Sequence, residues 1–236
     1  MGCNSSTTAS QPGPAGGVGK KGILSGTVKY TYFNIGYGRA DPLEQMFSHH
    51  GQPHEKVAVA PGAGPTSEFG TGLPQIDATI GGKNVHMGQL GAMLRSFGIR
   101  YGYYNPKDWK QARYCDPIVD CWADIMNAVA GPAFNQDPSK TEELVQKMIA
   151  VFGKFMALCE KQFTHHGGKY IAGNNVTIAD FILCSFFGNL VKNAKFEASP
   201  MIMPLLDDKP KLKAYAMSIE TNFPHLKNRG EPAYPF

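Results

Sequence analysis

Apolar and polar positions follow two different patterns along the chain, and the change falls near residue 104. Before that point, short apolar runs are separated by turn residues and by two amphipathic stretches. This pattern predicts strands at about 27–33, 54–60, 75–80 and 83–86, and helices at 39–50 and 89–100. Gly81-Gly82 lies between the last two strands, where it predicts a hairpin turn.

From Trp109 onward the pattern is helical throughout. Apolar residues recur at spacings of three and four, and Asp108 is placed to cap the first of these helices. The segment 132–138, with a proline at each end, predicts the end of that helix, and a second helix is expected over 139–163. The fold class indicated by the two patterns is therefore α/β plus all-α, with a linker near 104–108 that contains Asn105-Pro106.

A third helix is marked by a strong local signal, the sequence Y-I-A-G-N-N-V-T-I-A-D-F at 170–181. Thr177 can cap the helix, and the Asp180 side chain can accept a hydrogen bond from the Thr177 N–H, which is a variant of the capping box. Both residues are therefore assigned to folding, with no catalytic role for Asp180. Replacing either residue is expected to lower stability by about 1 kcal/mol or more.

The first 25 residues differ in kind, because glycine, proline, serine, threonine and alanine replace almost all large apolar residues. This composition predicts a disordered tail over 1–25. The start, M-G-C-N-S-S, matches the pattern for N-myristoylation at Gly2, and Cys3 beside it is a natural palmitoylation site. Two acyl chains would anchor the protein stably to the cytoplasmic face of a membrane. The alternative is a flexible tail that happens to begin Met-Gly.

Composition and charge argue against several classes of protein. The net charge is +4 with no dense block of lysine and arginine, so nucleic-acid binding is not indicated. No stretch approaches the roughly 20 apolar residues that a membrane span needs. The five cysteines show no C-x-x-C spacing, so they are expected to be reduced thiols of a cytoplasmic protein and not zinc ligands. No metal site is expected, and none of the histidines sets up a site.

The segment 28–47 is the strongest candidate for a binding site. A short strand ends in the aromatic pair Tyr32-Phe33. A turn that contains glycine follows, and Arg39 begins an amphipathic helix. Ligands bind at the carboxyl ends of strands in open α/β sheets, and a helix N-terminus attracts anionic groups. Two neighbouring tyrosines could serve the same purpose: Tyr30, on the same face of the strand, and Tyr37, in the turn. Tyr32 is preferred because it lies at the end of the strand. The alternative is that Tyr32 is only an edge aromatic.

Several segments resemble the cytosolic glutathione transferases, especially the sigma-like class. The sequence Y-F-N, a short turn and G-R-A-D at 32–41 resembles the start of those proteins, and 170–181 resembles their motif L-x-G-x-x-x-T-x-A-D. The resemblance implies the glutathione transferase fold, with a thioredoxin-like, glutathione-binding domain at 26–104 and a helical bundle at 105–236. It also implies a homodimer that uses glutathione against a small hydrophobic electrophile, as in detoxification, or for isomerisation.

The same resemblance gives roles to individual residues. Tyr32 would activate the glutathione thiol by donating a hydrogen bond to the thiolate. Pro74 would follow a cis peptide bond, so that the backbone of Leu73 pairs with the cysteinyl part of glutathione. Gln89 and Leu90, at a helix N-terminus, would receive the γ-glutamyl carboxylate.

Two further residues match the family pattern, and two features depart from it. Arg39 matches the family's G-R-A-E arginine, for ion-pair support or ligand contact. Asp116 matches an acidic position that reaches the ligand amine of the neighbouring subunit in sigma-like dimers. However, Leu90 replaces the family's serine, and the segment 61–72 is short and lacks the tryptophan and lysine that hold the glycyl carboxylate. These departures leave open a non-catalytic scaffold or binding module of this fold, tethered to a membrane.

Overall fold

The computed structural model describes residues 22–35, 38–60, 72–80 and 82–228. Within them, the first part of the chain forms a mixed four-stranded sheet in the order β2-β1-β3-β4. Its strands are β1 (Val28–Phe33), β2 (His54–Val59), β3 (Gln75–Ile80) and β4 (Lys83–Gly88). β1 pairs with β2 in parallel and with β3 antiparallel. β3 and β4 pair antiparallel across the predicted hairpin, and β4 runs two residues further than expected.

The helices complete this architecture. In the first part, α1 (Asp41–His50) follows a 3-10 turn at Gly38–Ala40, and α2 (Leu90–Tyr101) follows the sheet. The later helices are α3 (Trp109–Ala133), α4 (Thr141–His166), α5 (Ile178–Phe186), α6 (Ser199–Ile202) and α7 (Pro210–Asn222). A thioredoxin-like sheet domain followed by a helical domain confirms the predicted fold class.

Local signals explain where the long helices begin and end. The Asp108 side chain caps α3, accepting hydrogen bonds from the N–H groups of Lys110 at 3.1 Å and Gln111 at 3.2 Å. Pro132 lies in the last turn of α3, so the helix ends only one residue later. α4 runs three residues beyond its predicted end and stops at Gly167, whose φ of 63° suits a left-handed C-cap.

The two parts of the chain share a continuous core. α1 packs against α5, and α2 approaches α5 at Gly98. A Cβ at Gly98 would lie 2.5 Å from Ile178 Cγ2 and 3.0 Å from Tyr104 Cβ, so a larger residue has no room there. The Ile178 N–H also donates to the carbonyl oxygen of Tyr103 at 3.1 Å, which ties the start of α5 to the linker after α2.

Asp180 lies fully buried in the first turn of α5. Its carboxylate accepts hydrogen bonds from the Thr177 N–H at 2.8 Å, the Thr177 hydroxyl at 2.9 Å, the Ile171 N–H at 3.2 Å and the Tyr215 hydroxyl at 2.9 Å. Burial raises the pKa of Asp180 to about 6, and the hydrogen bonds work against that rise. The capping box predicted from the sequence is present, and the carboxylate belongs to the folding of α5.

The predicted tail is only partly within the described residues. Residues 1–21, with Gly2 and Cys3, lie outside them, as do the glycine turn at 36–37 and the segment 61–71. Leu24 is described, is 5% exposed, and donates its N–H to Gln52 Oε1 at 2.8 Å. Leu24, within the predicted tail, therefore places its apolar side chain in the core, and the disorder of the tail stays a prediction.

Candidate functional site

A cavity of about 570 Å³ lies where the start of β3, the first turn of α2 and the middle of α3 meet. The first part of the chain contributes Arg39, Gly72, Leu73, Pro74, Gln89, Leu90, Gly91, Ala92 and Arg95 to its walls. α3 contributes Val119, Asp120, Trp122 and Ala123. The cavity therefore lies at the junction of the two predicted domains, which is a common position for a ligand site.

Tyr32 lies near the carboxyl end of β1 and is buried. Its hydroxyl oxygen accepts a hydrogen bond from the Arg39 N–H at 2.8 Å. Burial raises the pKa of the phenol, while the Arg39 N–H and the Arg39 charge oppose the rise. Among the described residues Tyr32 is not part of the cavity wall, whereas its partner Arg39 is. The phenol is thus protonated at neutral pH and is bonded to a residue of the cavity wall.

Gly38 permits the close approach of the turn to this phenol. Its φ of 59° is in the left-handed region, which side chains rarely adopt. A Cβ at Gly38 would also lie 2.8 Å from the Tyr32 hydroxyl oxygen. A side chain at this position would therefore displace either the turn or the phenol.

Arg39 bonds to β1 through one group and to α3 through two. Its N–H binds Tyr32, its carbonyl oxygen accepts a hydrogen bond from the Trp122 indole N–H at 3.2 Å, and its Nη2 donates to Asn127 Oδ1 at 2.5 Å. The expected ion-pair support is not found among the described residues, because the partner of the guanidinium is an amide and not a carboxylate. Arg39 instead fixes the position of α3 relative to β1.

The opposite wall contains the start of β3 and the N-terminus of α2. The Leu73–Pro74 peptide bond is cis, as predicted. Gln89 precedes α2 with a φ of 66°, and among the described residues it is the only non-glycine residue with positive φ. Such backbone conformations are concentrated at ligand sites. Leu90 opens the helix and packs partly against the core, so this wall offers first-turn N–H groups without a side-chain hydroxyl at that position.

An ion-pair cluster joins α2 to α3 beside the cavity. Arg95 Nε donates to Asp116 Oδ1 at 2.8 Å, and Arg95 Nη2 donates to Asp120 Oδ1 at 2.9 Å. The Tyr104 hydroxyl donates to the second oxygen of Asp116 at 3.0 Å. Burial alone would lower the pKa of Arg95, but the two aspartates outweigh it and raise that pKa. The guanidinium is therefore a permanent cation at the cavity wall.

Comparisons with known proteins identify this architecture. A family model for the C-terminal domain of glutathione S-transferase matches residues 123–228. The structure of a Nu-class glutathione transferase from Haemonchus contortus has a TM-score of 0.66 to this chain and 26% sequence identity. That likeness covers 89% of this chain and 99% of that chain. The chain is a glutathione transferase-fold protein.

Two further relatives describe the extent of the likeness. Glutathione S-transferase alpha-4 of Rattus norvegicus is 26% identical over 144 residues, which are 61% of this chain and 60% of the relative. The chain therefore matches about three fifths of the length of that curated relative. Prostaglandin synthase D of Nilaparvata lugens has a TM-score of 0.64 and 19% identity, over 88% of this chain and 100% of that chain, and supports the fold alone. These relatives assign no single class.

The residues predicted for the glutathione site of this transferase-fold protein divide into two groups. Five line the cavity: Arg39, Leu73, Pro74, Gln89 and Leu90. Tyr32 and Asp116 do not line it, but each is bonded to a residue that does. The expectation that Asp116 reaches a ligand stays a prediction, since its described contacts are within its own chain.

Sequence reasoning missed Arg95, Asp120 and Trp122 as cavity residues. The spacing of Asp116 and Asp120 places both on one face of a helix, which is a usable signal for the pair. No local pattern marks Arg95 or Trp122, because both act through contacts with distant segments.

A second cavity, of about 690 Å³, lies between α3 and α4. Its walls are mainly apolar, with Asp124, Lys147 and Lys154 as charged members. Asp124 is exposed, as the predicted solvated face requires. Within the described ranges no cluster of three metal-ligating side chains occurs, and no helix there has the length and apolar character needed to cross a membrane.

Proposed function

We propose that the protein is a glutathione transferase that activates the glutathione thiol with the Tyr32 hydroxyl. The observation that carries this proposal is the cavity at the domain junction, because Arg39, which binds the Tyr32 hydroxyl through its N–H, is part of its wall. Leu90, Val119 and Trp122 supply apolar surface to the same cavity, which suits a small hydrophobic electrophile.

The chemistry required of Tyr32 is hydrogen-bond donation and not proton abstraction. A free thiol has a pKa of about 8.5, so glutathione is a weak nucleophile at neutral pH. A hydrogen bond to the sulfur favours the thiolate, and each unit by which the thiol pKa falls requires about 1.4 kcal/mol. The Tyr32 oxygen accepts the Arg39 N–H, which leaves the phenol's own hydrogen for the sulfur. Because burial raises the pKa of Tyr32, the phenol keeps that hydrogen at neutral pH.

Backbone groups of two segments would hold the peptide part of glutathione. Leu73 lies in the cavity wall just before β3, where its backbone can pair with the cysteinyl residue as an added strand would. The γ-glutamyl carboxylate would bind the first-turn N–H groups of α2, beside Gln89 and Leu90. Since Leu90 has no hydroxyl, binding there depends on the backbone.

The finer features implied by the resemblance belong to the same proposal. They are the sigma-like class, a cytoplasmic homodimer in which Asp116 reaches the partner's ligand, and membrane attachment through acyl chains at Gly2 and Cys3. The Arg95 and Tyr104 contacts of Asp116 would hold its carboxylate in position for that role.

A pH titration of glutathione bound to the protein tests the proposal, with thiolate absorbance as the readout. We expect thiolate near neutral pH in the wild type and its loss in Tyr32→Phe. Tyr30→Phe is the matched control, because Tyr30 lies on the same face of β1 but donates its hydroxyl to Glu44. Equal thiolate formation in Tyr32→Phe and the wild type would contradict the proposed role of Tyr32.

A non-catalytic binding or scaffold role is the second candidate. The observations that favour it are that Tyr32 does not line the cavity and that Leu90 has no hydroxyl. Under this alternative the same titration shows glutathione binding without thiolate, or no binding. Turnover of a generic electrophile that falls in Tyr32→Phe would rule it out.

A further inference from the structure

Basic and aromatic side chains form a surface where α3 begins and α4 ends. We define this basic aromatic patch by Lys107, Trp109, Lys110, Arg113, Tyr114 and His165. The Arg113 guanidinium carbon lies 5.9 Å from the centre of the Trp109 ring and 5.0 Å from the centre of the Tyr114 ring. Arg113 Nη2 is also 3.4 Å from His165 Nε2, which connects the two helices. Arg113 therefore contacts Trp109, Tyr114 and His165, and Lys107 and Lys110 are neighbours of these residues in sequence.

The two tryptophans of the chain lie in opposite environments. Trp122 is 2% exposed and donates its indole N–H to Arg39, whereas Trp109 is 63% exposed. The exposed ring leaves a large, mainly apolar surface in water, and burial of that surface in an apolar medium would be favourable. Tryptophan is enriched where an apolar medium meets water, as at the headgroup level of a bilayer.

The charge of the patch is predominantly positive. Lys107, Lys110 and Arg113 are exposed cations. The carboxylate nearest to them in sequence, Asp108, accepts the first N–H groups of α3 as its cap. The N-terminus of α3 adds its own partial positive charge at this end of the helix.

We propose that the basic aromatic patch docks the protein on an anionic phospholipid surface. Lysine and arginine side chains supply the attraction to lipid phosphates and carboxylates, and Trp109 enters the headgroup layer. A nucleic acid fits the patch less well, because Arg113 already stacks on both Trp109 and Tyr114 and the whole chain carries only +4. The proposal is independent of glutathione chemistry and of acylation at the N-terminus.

The test uses the full, unacylated chain and sedimentation with lipid vesicles. We expect binding to phosphatidylcholine vesicles that contain phosphatidylserine and little binding to phosphatidylcholine alone. Lys110→Gln and Arg113→Gln should each weaken vesicle binding about fivefold, and added salt should weaken the wild-type binding as well. Lys154→Gln is the matched control, because Lys154 is an exposed lysine of α4 outside the patch, and it should bind like the wild type.

Tryptophan fluorescence tests whether the patch itself meets the lipid. The emission should shift to the blue with anionic vesicles, and Trp109→Phe should abolish the shift because Trp122 is already buried. Binding that is equal on neutral vesicles, or that is unchanged in Arg113→Gln and Trp109→Phe, would overturn the proposal. So would tighter binding to a single-stranded oligonucleotide than to the anionic vesicles. In each variant, thiolate formation with glutathione should match the wild type, which separates this test from that of the proposed enzyme.

Discussion

Asp180 and Tyr32 are both buried polar groups within recognisable sequence motifs, and they are held in opposite ways. The Asp180 carboxylate accepts four hydrogen bonds from Ile171, Thr177 and Tyr215. The Tyr32 hydroxyl has one hydrogen-bond partner among the described residues, the Arg39 N–H. A group whose bonding capacity is filled serves the fold, whereas a donor with a hydrogen left over can act on a ligand. The comparison therefore predicts that loss of Asp180 affects stability and loss of Tyr32 affects chemistry.

Asp180→Ala should have the largest effect on stability. It leaves donors of Thr177, Ile171 and Tyr215 buried without their acceptor, so we expect the free energy of unfolding to fall by about 3 kcal/mol or more. Urea denaturation measures this change. Asp207→Ala is the control, because Asp207 is an exposed carboxylate in a surface ion pair, and it should lose less than about 1 kcal/mol. Equal losses in the two variants would contradict the structural role assigned to the Asp180 carboxylate.

Tyr32→Phe should show the opposite profile. We expect turnover with glutathione and an electrophile to fall about a hundredfold, as for loss of one donor to a developing negative charge. The free energy of unfolding should fall by only about 1 kcal/mol, since the change leaves one N–H, that of Arg39, without its acceptor. Steady-state kinetics and urea denaturation on the same preparation check both numbers. A large loss of stability with little loss of turnover would make the phenol a structural group.

A partly buried histidine cluster allows the comparison to be tested by pH. His49 and His225 have ring centres 5.9 Å apart, with His49 Nδ1 2.7 Å from the Tyr103 hydroxyl and His225 Nε2 2.7 Å from Gln45 Oε1. Burial lowers the pKa of each imidazole to about 4, and the neighbouring ring lowers it further, which is His50 for His49 and His49 for His225. In the unfolded chain the pKa is about 6.5, so between pH 6.5 and 4 the unfolded chain binds protons that the folded chain does not.

Stability contributed by these imidazoles is thus complete above pH 6.5 and is lost as the pH falls toward 4. We expect each imidazole to lower the free energy of unfolding by up to about 3 kcal/mol over that window, since one pKa unit corresponds to about 1.4 kcal/mol. Asp180, whose pKa is raised to about 6, has the opposite effect on the pH dependence of stability. The contribution of the histidines is therefore measured as the difference between a variant and the wild type. Urea denaturation at a series of pH values should show a shallower dependence in His49→Gln. An unchanged slope in His49→Gln would contradict the assignment.

Thr177→Ala should give the smallest effect. It removes the hydroxyl that donates to Asp180 but leaves the Thr177 N–H in place, so we expect a loss of about 1 kcal/mol. Thr177→Ser keeps the hydroxyl and should recover most of that loss. Thermal denaturation of the three proteins checks the order. A Thr177→Ala loss as large as that of Asp180→Ala would mean that the hydroxyl, and not the carboxylate, organises α5.

The parts of the fold that could be predicted are those with local signals. Gly81-Gly82 marks the hairpin, Asp108 caps α3, and Thr177 with Asp180 opens α5. In each case the residues that form the contact lie within a few positions of one another, so a single sequence contains the whole signal. Element ends were less accurate, because the last turn of a helix depends on a cap such as Gly167 that competes with neighbouring turn residues.

The parts of the site that could not be predicted depend on contacts between distant positions. The bond from Trp122 to Arg39 joins residues 83 positions apart, and the bond from His225 to Gln45 joins residues 180 apart. Such pairs have no periodicity or spacing in one sequence. Tyr32 could be placed at the end of β1 for the same local reasons as the hairpin, but the close approach of Gly38 to its hydroxyl could not be predicted from the sequence.

Gly98 has a consequence for how the protein melts. The sequence draws a boundary near residue 104, yet at Gly98 α2 lies so close to Ile178 of α5 that an added methyl group would collide with it. The two halves cannot separate there without opening the core that both depend on. The boundary near residue 104 separates two folding patterns but not two independently stable units. Heat should therefore unfold the whole protein in a single cooperative transition.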